Sequence, residues 1–305
     1  MKLPFMKYLQ FWKKNEGADE GPAHRLATVP RKAKMLGRYE LLREIGRGSM
    51  GVVYLARDAK GRELALKTMN LAEEFDAKTL SDAKERFMRE AEFLDTLSHP
   101  DIVTFYGAGE VEGMAYIAME FLQGVELTEH TKHGRLLPLK KALEVIARAA
   151  EALGYAHEQK IVHRDVKPGN IMYDAAHDVV KVADFGISRL TNISRTRAGL
   201  VLGSPVYMSP EQVMGHPING QSDLFSLGAT LYQMISGRLP FEADTDMKVM
   251  FRIAKDPHTD ILSINPHLPA QVSAIINRAL AKDLKERYQS GYEMARAMRK
   301  CAAAL

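Results

Sequence analysis

The chain has almost no cysteine: Cys301 stands alone among 305 residues. A single thiol excludes an intramolecular disulfide and any zinc site built from several cysteines, and this usage fits a reducing, cytoplasmic setting. Long apolar runs are missing as well. Nothing approaches the roughly 18 consecutive apolar residues of a membrane span, and Lys7 interrupts the apolar residues near the start, which argues against a secretory leader. Repeats and low-complexity tracts are absent. Charge is nearly balanced at +4, with 46% hydrophobic and 26% charged residues, far from disordered or collagen-like compositions. The length suits one large or two medium domains, and composition alone names no function.

The charge is unevenly placed. Residues 1–38 carry nine Lys/Arg against Glu16, Asp19 and Glu20, which is +6 of the total +4 and leaves −2 for the remainder. Phe5, Tyr8, Phe11 and Trp12 interleave with Lys2, Lys7, Lys13 and Lys14. Such a basic leader reads either as a flexible arm or as one that touches a membrane surface or a protein partner. Beyond this charge nothing points to nucleic acid. At the other end Cys301 lies fifth from the last residue, where a prenylation signal needs the fourth; residues 301–305 are expected as a tail closing a helix.

Between these ends the hydrophobic period changes. Tyr39–Leu42 and Val52–Arg57 read as strands around Ile45-Gly46-Arg47-Gly48-Ser49-Met50-Gly51, and Glu63–Met69 as another, with a turn at Asp58–Gly61. Phe87, Ala91, Leu94 and Leu97 recur at helical spacing from Asp82 on, and strand signals return at Ile102–Gly109 and Ala115–Met119. After residues 120–124 helices dominate, beginning with a long amphipathic one near Pro138. The pattern predicts a small β-rich lobe with one helix at 39–119, a hinge at 120–124 and a larger, mainly helical lobe at 125–300.

The chemistry rests on an ordered set of motifs. Glycines between two strands, unlike those opening a helix, let backbone N–H groups close over phosphates. Lys67 in Leu64-Ala65-Leu66-Lys67 follows on the next strand, with Glu90 on the helix beyond it. Then come His163-Arg164-Asp165-Val166-Lys167-Pro168-Gly169-Asn170, Ala183-Asp184-Phe185-Gly186 and Ser209-Pro210-Glu211. In this order and at these separations the chain resembles the eukaryotic-type (Hanks-type) serine/threonine protein kinases from about Tyr39 onward. The stretch Gly203–Gln212 is more similar to bacterial members than to animal ones.

The resemblance implies an α+β, two-lobed kinase fold and transfer of the γ-phosphate of ATP to Ser/Thr hydroxyls of protein substrates, with autophosphorylation. It makes Asp165 the residue that takes or orients the hydroxyl proton and Lys167 the neutraliser of phosphate charge. Asn170 and Asp184 are implied ligands of Mg²⁺ or Mn²⁺. ATP contacts are implied at Ile45, Gly46, Gly48, Gly51, Val53, Ala65, Lys67 paired to Glu90, the backbone of Glu120 and Leu122, and Met172. Met119 would guard a deeper pocket, while Glu126 reads equally as a ribose contact or a helix-start carboxylate. Glu211 with Arg287, Asp223, and a stack of Leu94, His163 and Phe185 are implied scaffold. Ser209, Ser204 and Phe225 depart mildly from the family pattern, and Lys167 argues for Ser/Thr over Tyr.

Thr196, with Ser194 and Thr191 as alternatives, is the expected activation-loop phosphosite, because Arg164 and Arg189 would converge on a phosphate there. Two rivals are weighed. A small-molecule phosphotransferase shares the catalytic Asp and Asn but lacks the Ser-Pro-Glu segment, and a pseudokinase scaffold typically loses one of Lys67, Asp165 and Asp184, all of which are retained.

Overall fold

Strand β2 (Tyr39–Gly48) and strand β3 (Gly51–Arg57) pair antiparallel and start the sheet on which the ATP-contact residues were expected. The computed structural model describes residues 34–48, 51–71, 79–185 and 205–305. Ahead of β2, β1 (Lys34–Leu36) folds back on it, five residues before the first strand residue expected from the sequence. Leu36 explains this, since it packs on a small core of Tyr39, Ala56, Leu64, Leu66 and Ala118. The remaining strands are β4 (Glu63–Asn70), β5 (Phe105–Val111) and β6 (Met114–Glu120), in spatial order β1-β2-β3-β4-β6-β5.

Alternation along the strands gives this sheet two faces. Leu64 and Leu66 point to the core just named, whereas Met69, Ala115 and Ile117 meet Phe87 of helix α1 (Leu80–Asp95) on the other face. Val53 pairs with Lys67 and Lys67 with Ile117, so Lys67 shares the face of Val53 and, two residues away, of Ala65. Gly51 holds φ +127°, and a Cβ there would lie 1.9 Å from the Thr68 carbonyl oxygen. Only glycine permits β3 to start so close to β4.

Two boundaries differ from the sequence reading. Helix α1 is preceded by Thr79 and starts at Leu80, two residues before Asp82, which lies in its first turn. Strand β5 starts at Phe105 and not at Ile102, because Ile102 and Val103 pair with Val182 of another strand. That strand is β9 (Val179–Val182), which with β7 (Val125–Glu126) and β8 (Ile171–Asp174) forms a second sheet under the hinge that the sequence reading did not contain.

The larger lobe is built on α2 (Leu139–Glu158), whose buried face of Leu143, Ile146, Ala150 and Leu153 repeats at three to four residues. Short α3 (Pro210–Val213), buried α4 (Gly220–Ser236), α5 (Asp246–Lys255), α6 (Ile261–Ile264), α7 (Ala270–Ala279) and α8 (Gly291–Ala303) complete it. Helix α8 packs on α2 at its start, where a Cβ on Gly291 would lie 2.0 Å from the Ala150 carbonyl oxygen. The same packing extends into residues 301–305, expected to close a helix. Met294, Met298, Cys301 and Ala302 lie on one helical stripe, Cys301 and Ala302 are buried, and the helix continues to Ala303. No helix among the described residues is long and apolar enough to cross a membrane. The basic leader through Ala33 lies outside them.

Candidate active site

Asp223 near the start of α4 organises the His163–Asn170 loop from below. Its carboxylate, 1% exposed, accepts from the backbone N–H of His163 and of Arg164 at 2.8 Å each and from His157 Nε2 at 2.8 Å. These bonds hold Arg164 at φ +72°, a left-handed conformation that disfavours a side-chain-bearing residue by about 1 kcal/mol or more. The bend delivers Asp165 to the cleft. Gln212 of α3 adds a bond from Nε2 to the Arg164 carbonyl at 2.8 Å.

Around Asp165 two expected residues converge. Its Oδ2 accepts from Lys167 Nζ at 2.8 Å and Asn170 Nδ2 at 3.1 Å, and Asn170 Nδ2 also reaches the Asp165 carbonyl at 2.7 Å. Asp165 and Lys167 are about one-third exposed, so both face the cleft. Asn170 is buried, and with Nδ2 spent on Asp165 its Oδ1 is the oxygen left for a cation.

Asp184 stands on the other side. It too has a left-handed backbone, φ +63°, and its Oδ2 lies 2.8 Å from Lys67 Nζ. Burial pushes the Asp184 carboxyl up, but the neighbouring Lys67 ammonium outweighs it, and the group sits below the usual carboxylate range. The expected Lys67–Glu90 pair is not among the described contacts. The buried ammonium takes Asp184 as its counter-charge, while Glu90 has contacts of its own. His163 links the two halves, with Nε2–H donating to the Ala183 carbonyl at 2.7 Å and its ring 4.6 Å from Phe185. Leu94 and Phe185 line a cavity of about 30 Å³ whose walls include Met119 and Ile117.

The ATP-contact candidates flank this centre. Gly46 pairs with Val53 and Gly48 with Gly51, Ile45 falls at a break in the β2–β3 register, and residues 49–50 lie outside the described set. Ala65 is cross-strand to Met119 and Leu55, and Met172 on β8 pairs with Glu126 beneath the hinge. Glu120 donates its N–H to the Thr104 carbonyl at 2.8 Å. Leu122 is half-buried at the hinge, and no hydrogen bond to its backbone groups occurs among the described residues. Glu126 accepts from Thr128 Oγ1 at 3.4 Å and leaves both of its readings open. Thr196, Ser194, Thr191, Arg189, Gly186 and Ser204 lie outside the described residues.

Below the site Glu211 and fully buried Arg287 form a two-pronged pair at 2.7 and 2.8 Å. Burial raises the Glu211 carboxyl, but Arg287 and the Ser222 hydroxyl overcome this and draw it down to about 2. The sequence reading missed the Gln212 bond and the His157 contact to Asp223. It also missed a link from Lys181 on β9 to Glu120, for which spacing along the chain holds no signal.

The family described as the protein kinase domain matches residues 39–299. The chain belongs to the protein kinase domain family. It is 38% identical over 264 residues to the serine/threonine-protein kinase PrkC of Bacillus subtilis (strain 168), covering 86% of this chain and 40% of that protein. It is 39% identical over 267 residues to the serine/threonine-protein kinase PknB of Mycobacterium tuberculosis (strain ATCC 25618 / H37Rv), covering 84% of this chain and 42% of that protein. This kinase chain therefore spans about two-fifths of the length of these relatives, all of them bacterial. Its fold is similar to the crystal structure of the Mycobacterium tuberculosis PknI kinase domain, with TM-score 0.70, 27% identity, and coverage of 88% of this chain and 98% of that one. The α+β, two-lobed kinase fold is thus the fold of the described residues.

Proposed function

We propose that this chain is a serine/threonine protein kinase that transfers the γ-phosphate of ATP to hydroxyls of protein substrates, and to its own. The observation that carries the reading is the cluster of Asp165, Lys167 and Asn170, held in the cleft opposite the Lys67–Asp184 pair. Asp165 takes or orients the proton of the attacking hydroxyl. Lys167, already 2.8 Å from it, sets a positive charge beside the transferring group. Lys67 holds inner phosphates, and the Val53, Ala65 and Met172 side chains sandwich adenine against the backbone of Glu120 and Leu122. The glycines from Gly46 to Gly51 cover the phosphates.

The donor set fits a hard divalent cation. Asp184 offers an ionised carboxylate and Asn170 an amide oxygen, the one or two protein ligands Mg²⁺ takes when phosphates supply the others. Bound there, Mg²⁺ or Mn²⁺ would offset the charge on the phosphate oxygens. Retention of the Pro210-Glu211 segment with its Arg287 partner favours a protein substrate over a small molecule.

The test is incubation of purified chain with Mg-ATP labelled at the γ-phosphate, with casein-like protein or an aminoglycoside as acceptor. Phosphoserine and phosphothreonine in the protein are expected. Label on the aminoglycoside alone, or no transfer to either, would overturn the reading.

A further inference from the structure

We propose that Glu120, Lys181 and Thr104 form a latch between the lobes that positions the adenine-binding hinge relative to Asp184. This rests on the ATP-dependent transfer proposed above and assigns positioning residues to it. One oxygen gathers the contacts: Glu120 Oε2 accepts from Lys181 Nζ at 2.8 Å, Thr104 Oγ1 at 3.0 Å and Thr104 N at 3.1 Å. Lys181 Nζ also donates to the Ile102 carbonyl at 3.2 Å. Backbone bonds run through the same place, from Glu120 N to Thr104 O, Val103 N to Val182 O and Val182 N to Asp101 O, at 2.8 to 3.0 Å. Arg148 of α2 ties the segment to the helical lobe by binding Asp101.

An exposed lysine–glutamate pair contributes little because water screens it. Here Lys181 is 12% and Glu120 28% exposed, and the carboxylate serves three donors. Burial lifts the Glu120 carboxyl, yet the Lys181 and Thr104 donors outweigh it and keep the group below its ordinary range. Such a network resists removal of any one member, since the partner left behind is desolvated and unpaired. Its location gives it a role beyond packing. Lys181 precedes Asp184 by three residues on the strand leading to it, and Glu120 precedes Leu122 by two. The latch therefore joins the two ends of the span that a bound ATP must bridge.

Lys181→Met keeps the apolar stem and removes the ammonium. The expected result is a rise of about tenfold in the KM for ATP and in its calorimetric Kd, with kcat changed less than about twofold and the KM for protein substrate unmoved. Thr104→Val should give a smaller rise. Lys181→Met with Glu120→Gln should be no worse than Lys181→Met alone, and Lys181→Arg should restore most of the affinity. A lower melting temperature of the nucleotide-free protein with unchanged ATP affinity would overturn the proposal in favour of a purely structural role. A raised kcat at unchanged KM would overturn it too, by making the contact a restraint. If the parent chain bound Mg-ATP but transferred no phosphate, the kinase reading would fail, and the calorimetric comparison would still decide the latch.

Discussion

Replacing Arg287 by methionine tests how the catalytic loop is supported. Arg287 is fully buried and donates to both oxygens of Glu211, to the Ala281 carbonyl at 2.6 Å and to the Gln221 and Lys282 carbonyls at 3.3 Å. Its guanidinium also lies 4.9 Å from the Phe225 ring. Methionine fills much of the volume but leaves Glu211, 5% exposed, without its counter-ion. Drawing Glu211 from 4.5 to about 2 corresponds to about 3 kcal/mol, and breaking a buried pair by removing one partner typically costs about 3–5 kcal/mol. Against a total stability of about 5–15 kcal/mol, this is a large fraction.

The pH dependence carries the sign. In the parent protein the folded pKa of Glu211 lies below its unfolded value, so the contribution is complete above about 4.5 and is lost as pH falls toward about 2. In Arg287→Met the unpaired buried carboxyl moves the other way and the folded state binds the extra proton. The variant should then be most destabilised at neutral pH and recover as pH falls toward 5. Urea unfolding at pH 5, 6 and 7.5 measures this, and Glu211→Leu combined with Arg287→Met should recover part of the loss. A loss below about 1 kcal/mol, or one independent of pH, would refute the reasoning.

Lys67→Met should abolish phosphotransfer and weaken ATP-dependent thermal stabilisation while leaving the nucleotide-free fold intact; near-parental turnover would contradict its role. Gly51→Val should destabilise the β-rich lobe and raise the KM for ATP several-fold, because any Cβ meets the Thr68 carbonyl, as melting curves and steady-state kinetics can measure. Mass spectrometry of active protein is expected to find phosphate at Thr196 or Ser194, absent from Asp184→Asn. A Ser194/Thr196 double alanine variant with full activity would remove that regulatory assignment.

The lobes and the coming together of Asp165, Lys167 and Asn170 were legible because they are written in local signals. Glycines between strands, the His163–Asn170 loop and Asp184-Phe185 each occupy one short segment, and their order carries the resemblance. Lys67 and Asp184 were both expected at the site, but their pairing was not. Which carboxylate neutralises a buried ammonium depends on how helix α1 sits against the sheet, and no spacing encodes that. The small β7–β9 sheet escaped for a similar reason, since two to four residues of strand are too few to show alternation. Ile102 and Val103 read as part of a longer strand until the structure pairs them with Val182.

In the proposed reaction Asp165 faces the acceptor hydroxyl while ATP is held by other residues. Asp165→Asn keeps the shape and an oxygen for Lys167 and Asn170, so it removes the proton-accepting charge and little else. Turnover toward protein substrate and the Kd for Mg-ATP, measured on the same preparation, separate the two functions. Turnover is expected to fall by about 10²- to 10⁴-fold with ATP affinity within about threefold of the parent. Unchanged turnover, or turnover lost only in step with ATP binding, would contradict it.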